Sequence, residues 1–333
     1  SAASDVYKRQ VTANYSQEEI QAKVHLQQSD NIGLHTEIQY FPAETQRILI
    51  PLLKINLPEA SWQNTTDSLL IEFNDKYYSI QNLDLQNENQ SISANGYIDL
   101  QQENDLTISL QNIELNPFIA NFNEQLPLYG NLDFNLALAG NFDSPVVHSK
   151  LKLQNAKYGK LQFQALTGNM QLQDQLVNIS LQLQRTKEDS ILLNGYFPLN
   201  IDPKAAVFEL NREEPFALNL TSSPFALNWL QPLYPEIKQA KGVITMQAAA
   251  TNTLSQPQLN AAVSLQNGRL EIPTLGVDYR KINLLLQADN NEIVLQDFSL
   301  QSGSKKKSGD LQLSGKLVVD TIEPVSYTHL TLP

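Results

Sequence analysis

The chain has 333 residues, a formal net charge of -12, 41% hydrophobic but only 17% charged residues, and no cysteine. The acidic balance argues against a nucleic-acid partner, because phosphate binding needs a basic face. The lack of cysteine excludes a disulfide framework and a thiolate metal site, and no apolar run approaches the ~18 residues of a membrane-spanning helix.

Both ends break the pattern of the rest. "SAASDVYKRQ" (1–10) and "VSYTHLTLP" (325–333) resemble translated adapter sequence at the edges of assembled contigs. They are expected to be foreign flanks around residues 11–324, an internal piece of a longer protein.

Inside that piece apolar and polar residues alternate with period two, the pattern of a half-buried strand. In chain order, "DLTISLQNIEL" carries Leu106, Ile108, Leu110, Ile113 and Leu115. A short helix is expected at Pro117–Gln125. "GNLDFNLALAG" follows with Leu132, Phe134, Leu136 and Leu138, then "LKLQ" (Leu151, Leu153) and "LQFQ" (Leu161, Phe163). "MQLQDQLVNISLQLQ" adds Met170, Leu172, Val177, Ile179, Leu181 and Leu183, with amides and hydroxyls between them. In "PFALNWLQPLYPEI", Phe225, Trp229, Leu233 and Ile237 recur every fourth position. That is helical spacing, and Pro232 and Pro235 would cut the helix short. "KINLLLQ" (Ile282, Leu284, Leu286) and "DLQLSGKLVVD" (Leu311, Leu313, Leu317, Val319) close the series. Asn-Gly, Asp-Asn, Gly-Asn and Gly-Lys pairs between the runs suit hairpin turns. The expectation is about 20 to 25 sequential, mostly antiparallel strands of ~5–9 residues.

A coarser repeat overlies the strands. The stretch from Gly130 aligns with that from Gly242, so that Pro145 falls on Pro257 and Leu153 on Leu265. "SANGYIDL" at Ser93 echoes "LLNGYFPL" at Leu192 and "LQLSGKLV" at Leu311. The repeat units fall at roughly 11–118, 119–225 and 226–324, and imply quasi-one-dimensional stacking.

A sheet of this length exposes one unbroken apolar face, at a cost of about 25 cal/mol per Å². Two arrangements cover it. Two sheets can pack as a sandwich, or one sheet can curl lengthwise into a trough. At ~4.8 Å between strands, ~20 strands would extend on the order of 100 Å. Walls of ~23 Å would match an acyl chain, for which each CH₂ removed from water gains ~0.8 kcal/mol. Periodicity leaves both arrangements open.

Candidates for chemistry are few. His25, His35, His148 and His329 show no H-E-x-x-H spacing. Glu213-Glu214 sits in "NREEP", which reads as a loop rather than an acid/base pair. "GSKKKSG" (303–309) lacks the Lys-Ser/Thr of a phosphate-binding loop. It reads as a solvated turn, with Lys305, Lys306 and Lys307 as possible contacts for anionic headgroups. No enzyme activity, metal or cofactor is expected.

"GNLDFNLALAGNFDSP" (130–145), "FALNLTSSPFALNWLQPLYPEI" (216–237) and "GVITMQAAATNTLSQPQLNAAVSLQNGRLEIPTLGVDYRKINLLLQ" (242–287) together resemble the TamB proteins of the AsmA-like superfamily. The match covers about 100–315, and "SKKKSGD" departs from the family pattern. The resemblance implies an all-β fold: a long, sequential antiparallel sheet curled into an elongated apolar groove. It also implies a periplasmic segment of an inner-membrane-anchored protein that passes phospholipid toward the outer membrane. An outer-membrane barrel protein of the TamA/Omp85 type would be a partner, bound through a region not in this sequence. Leu132, Phe134, Leu136, Leu138, Val177, Ile179, Leu181, Leu183, Leu284 and Leu286 would line the groove. A scaffold that handles outer-membrane polypeptides at its sheet edge is the alternative, followed by a closed sandwich or solenoid.

Overall fold

The computed structural model describes residues 8–318, apart from 17, 30–31, 58–59, 67, 117–127, 160, 203–206, 235, 291 and 305–306. The fold is all-β, with 22 strands in one hydrogen-bonded sheet. Two compact units divide the chain. The first holds residues up to Glu188 together with Asn194–Asn211; the second holds Asp189–Leu193 and the chain from Arg212 onward.

The first unit contains β1 (Lys8–Tyr15), β2 (Ile20–Ser29), β3 (Ile32–Phe41), β4 (Gln46–Leu57), β5 (Ala60–Asn64), β6 (Leu69–Phe73), β7 (Tyr77–Asn87) and β8 (Gln90–Asp99). It continues with β9 (Asn104–Glu114), β10 (Leu128–Gly140), β11 (Val146–Tyr158), β12 (Leu161–Gln173), β13 (Leu176–Gln184), most of β14 (Ser190–Asp202) and β15 (Val207–Leu210). Sequential neighbours pair antiparallel from β1 to β4 and from β7 to β13. Between these runs β5 and β6 act as one interrupted strand, because each pairs with both β4 and β7. Thr66 holds the interruption: its Oγ1 accepts from Asn64 Nδ2 at 2.7 Å and donates to the Asn82 carbonyl at 2.7 Å. Lys8–Gln10, at the edge of the expected foreign flank, belong to β1 and pair with His25, Leu26 and Gln27. The rest of that flank, and all of 325–333, lie outside the described residues.

The second unit contains β16 (Pro215–Ser222), β17 (Phe225–Ala226), β18 (Gln239–Thr253), β19 (Pro257–Ile272), β20 (Val277–Asp289), β21 (Glu292–Ser304) and β22 (Lys307–Val318). β16 and β17 both pair with β18, and β18 through β22 pair in order, all antiparallel.

Several strands exceed the expected length; β18 has 15 residues and β19 has 16. In β8, β14 and β19 an Asn-Gly pair (Asn95-Gly96, Asn194-Gly195 and Asn267-Gly268) lies within the strand, not at a hairpin tip. Around Asn267-Gly268 the register shifts on both sides of Gly268, and Asn267 takes a φ of 50°. The pair therefore forms a bulge, which lengthens a strand instead of ending it. A hairpin turn does occur at Asp174-Gln175, where both φ values are positive (51° and 59°) and Gln173 pairs with Leu176, as a two-residue type I′ loop requires.

The aligned stretches share these irregularities. The Gly130 bulge between Tyr129 and Asn131 matches the Gly242 bulge between Lys241 and Val243. Asn155 and Asn267 share a φ of 50°, and Leu132 pairs with Leu153 as Ile244 pairs with Leu265. The sequence repeat is thus a repeat of bulge positions.

The helix expected around 224–237 is a 3₁₀ helix at Leu227–Leu233, preceded by the short strand β17. Pro232 lacks an N–H and Pro235 follows closely, so a full α-helical ladder cannot form. The helix expected at Pro117–Gln125 lies outside the described residues.

Candidate functional site

Residues directly paired across antiparallel strands share one sheet face, so the registers can be followed across the sheet. One line runs Leu85, Ile92, Leu110, Phe134, Leu151, Gly168, Leu181. The next runs Leu83, Ala94, Ile108, Leu136, Ser149, Met170, Ile179. A third begins at Tyr15 on β1 and passes through Ile20, Tyr40, Ile48, Ile71, Ile80, Gly96, Leu106, Leu138, Val147, Leu172 and Val177. Leu132 joins Ile113, Leu153, Leu166 and Leu183 in a fourth. All eight predicted lining residues of β10 and β13 therefore lie on one apolar face. The opposite face carries polar lines such as Asp133, Lys152, Thr167, Gln182.

The depth of this face varies. Trp62, Leu85 and Ile113 form a buried cluster with Leu53, Ile55, Ile92 and Leu132 packed against it. Val177 is buried at 3% exposure. Leu132, Phe134, Leu136, Leu138, Ile179 and Leu183 are half-buried, while Met170 and Leu181 are each 37% exposed. A close-packed second β-layer would bury the inner-face residues of such central strands. On the same face Leu153 and Leu172 are buried at 7% each, so the patch from β10 to β13 is covered unevenly, deep at Leu153, Leu172 and Val177 and open at Met170 and Leu181.

In the second unit Leu284 and Leu286 are half-buried. Leu284 lies in the line Phe225, Ile244, Leu265, Leu284, Phe298, Leu313, and Leu286 pairs with Val263 and Leu295. On this face a cavity of about 400 Å³ opens beneath the 3₁₀ helix. Leu227, Ile237, Ala240, Leu265, Leu270, Tyr279, Ile282, Phe298 and Leu300 line it, with Gln231 and Tyr234 beside them. Gln231 fastens the helix over the strands. Its Nε2 donates to the carbonyls of Ile237 (3.2 Å) and Lys238 (2.8 Å), and its Oε1 accepts from the Ala240 N–H. Phe225 packs edge-on against Trp229, with ring centroids 5.6 Å apart. The spacing of Phe225, Trp229 and Ile237 signalled an apolar element; the strands it would cover could not be read from spacing.

Charge clusters on β19 and β20 of this unit. Arg269 donates to Asp278 Oδ1 at 2.9 Å, and Arg280 donates to Asp278 as well. The Arg269 hydrogen bond, followed by that from Arg280, holds the Asp278 carboxyl at about 2, below its ordinary value. Arg269 is shifted upward, chiefly by the same bond.

Glu213-Glu214 sits in the loop before β16, where Glu213 accepts from Ser255 Oγ. Lys305 and Lys306 lie outside the described residues, and Lys307 begins β22. No helix among the described residues is long and apolar enough to cross a membrane.

Fold and face define an all-β protein whose two units each carry an apolar sheet face. No protein-family model, no curated protein and no solved structure matches the chain.

Proposed function

We propose that the chain is a segment of a TamB-like envelope protein whose apolar sheet face carries phospholipid acyl chains between the inner and outer membranes. The observation behind this reading is the patch from β10 to β13, apolar in register and exposed in part, with Met170 and Leu181 at 37%. Contiguous apolar surface of this kind marks a binding face, and a face without convergent polar groups suits a cargo that is itself hydrocarbon. Each buried CH₂ of an acyl chain gains ~0.8 kcal/mol without directional chemistry. Such a lining is non-specific and non-catalytic. The curled, groove-like arrangement and the periplasmic setting belong to the same proposal.

Photo-crosslinking amino acids at Leu136 and Ile179 on the apolar face, and at Asn135 and Ser180 on the polar face, test it in cells. Lipid adducts from the first pair and none from the second are expected. Polypeptide adducts without lipid at the apolar positions would replace this reading with the polypeptide-scaffold one.

A further inference from the structure

The antiparallel register of β2 and β3 sets His25 directly opposite His35. Their Nδ1 atoms are 3.1 Å apart, and the rings meet edge-on with centroids at 5.3 Å. They are ten positions apart in sequence, so no helical metal-ligand spacing announces the pair; the hairpin register creates it. Both rings lie on the polar face, away from the proposed lipid-bearing side: Val24 and Leu26 of β2 pair with Thr36 and Leu34, while His25 pairs with His35. His25 is half-buried and His35 exposed, so solvent reaches the pair.

The geometry points to a two-histidine site for a divalent transition-metal ion, bound through Nδ1 of His25 and Nδ1 of His35. Metal–imidazole bonds are ~2.0–2.1 Å, so two nitrogens on one ion, at angles between square-planar and tetrahedral, stand about 2.9–3.4 Å apart. The observed 3.1 Å falls inside that interval. Without metal the same contact holds one proton between the rings, one donating and the other accepting. On binding, the donor ring moves its proton from Nδ1 to Nε2. Both imidazoles then ligate as neutral groups, and water completes the open coordination positions. Among the described residues no group of three or more His, Cys, Asp or Glu is placed to hold a metal ion, so this is an open site with two protein ligands. Next to the pair, Lys23 and Glu37 neutralise each other at 2.7 Å. Lys54 is the like charge in register with His35, and Gln10 lies in register with His25. Two ligands fixed on adjacent strands lose little freedom on binding. Imidazole ligands favour Cu²⁺ over Zn²⁺.

Zn²⁺ and Cu²⁺ titrations of the full chain, followed by calorimetry and by the metal-dependent rise in melting temperature, test the site. One ion per chain is expected, with Cu²⁺ tighter than Zn²⁺. His25→Asn and His35→Asn should each weaken binding at least ~10-fold, and the double variant should add little, because either loss breaks the chelate. His148→Asn should bind as the parent does. The melting temperature of each metal-free variant reports whether the fold is intact. Absence of saturable binding to the parent chain overturns the assignment, as does full binding by either single variant.

Discussion

Leu181 reaches across from β13 to cover Gly168 on β12: a Cβ placed on Gly168 would come within 2.8 Å of Leu181 Cδ2 and 3.6 Å of Leu151 Cβ. The missing side chain of Gly168 is thus filled by its register partner, and the apolar line from Leu151 to Leu181 stays continuous. The nearest obstacle is the tip of a flexible side chain that is itself 37% exposed. Gly168→Ala should therefore cost under about 1 kcal/mol, read as a small shift in the urea midpoint at unchanged slope.

Gly96 should behave oppositely. Its φ is +124°, and an added Cβ would lie 2.0 Å from the Asp105 carbonyl oxygen, which is backbone and cannot swing aside. Gly96→Ala is expected to cost about 3 kcal/mol or more, from strain and collision together. Parallel urea denaturation of the two alanine variants should separate them clearly.

Trp62 anchors the buried cluster with Leu85 and Ile113, at 2% exposure. Trp62→Ala removes the largest side chain there and leaves a cavity, for an expected loss of ~3–5 kcal/mol. Thermal unfolding should show it as a marked drop in melting temperature.

Asp278 ties β20 to Arg269 of β19, with its carboxyl held at about 2 rather than the ordinary 3.8. A depressed carboxylate adds stability that is fully present above the unfolded value and is lost as pH falls toward 2. Its side chain is 22% exposed, so screening limits the contribution to under about 1 kcal/mol. Asp278→Asn should be less stable than the parent by that amount at about pH 6, and the difference should shrink below the unfolded value and be lost as pH falls through about 2. Urea midpoints at the two pH values check both the size and the sign.

The all-β class and the number of strands were legible because alternation at positions such as Leu132, Phe134, Leu136 and Leu138 is a direct imprint of the pleat. Strand ends were less legible. Asn267-Gly268 has the composition of a hairpin turn, and only the neighbouring strands decide that it becomes a bulge. The 3₁₀ helix at Leu227–Leu233 was visible as an apolar period of four. Its place over Ala240, Leu265 and Ile282 depends on contacts far along the chain, which local spacing does not encode. The His25–His35 contact is illegible in the sequence for a related reason: helical ligand spacing does not apply to it, because cross-strand partners are spaced by hairpin register.

Lipid content bears most directly on the function proposed for the apolar face. Mass spectrometry of the chain, purified without detergent from a bacterial envelope, would be compared with that of Leu181→Asp. The partly exposed site should let the variant keep its fold, as circular dichroism would verify. Phospholipid bound to the parent chain, and several-fold less on the variant, is the expected result. A folded parent chain that carries no lipid, and takes none up from phospholipid vesicles, would contradict it.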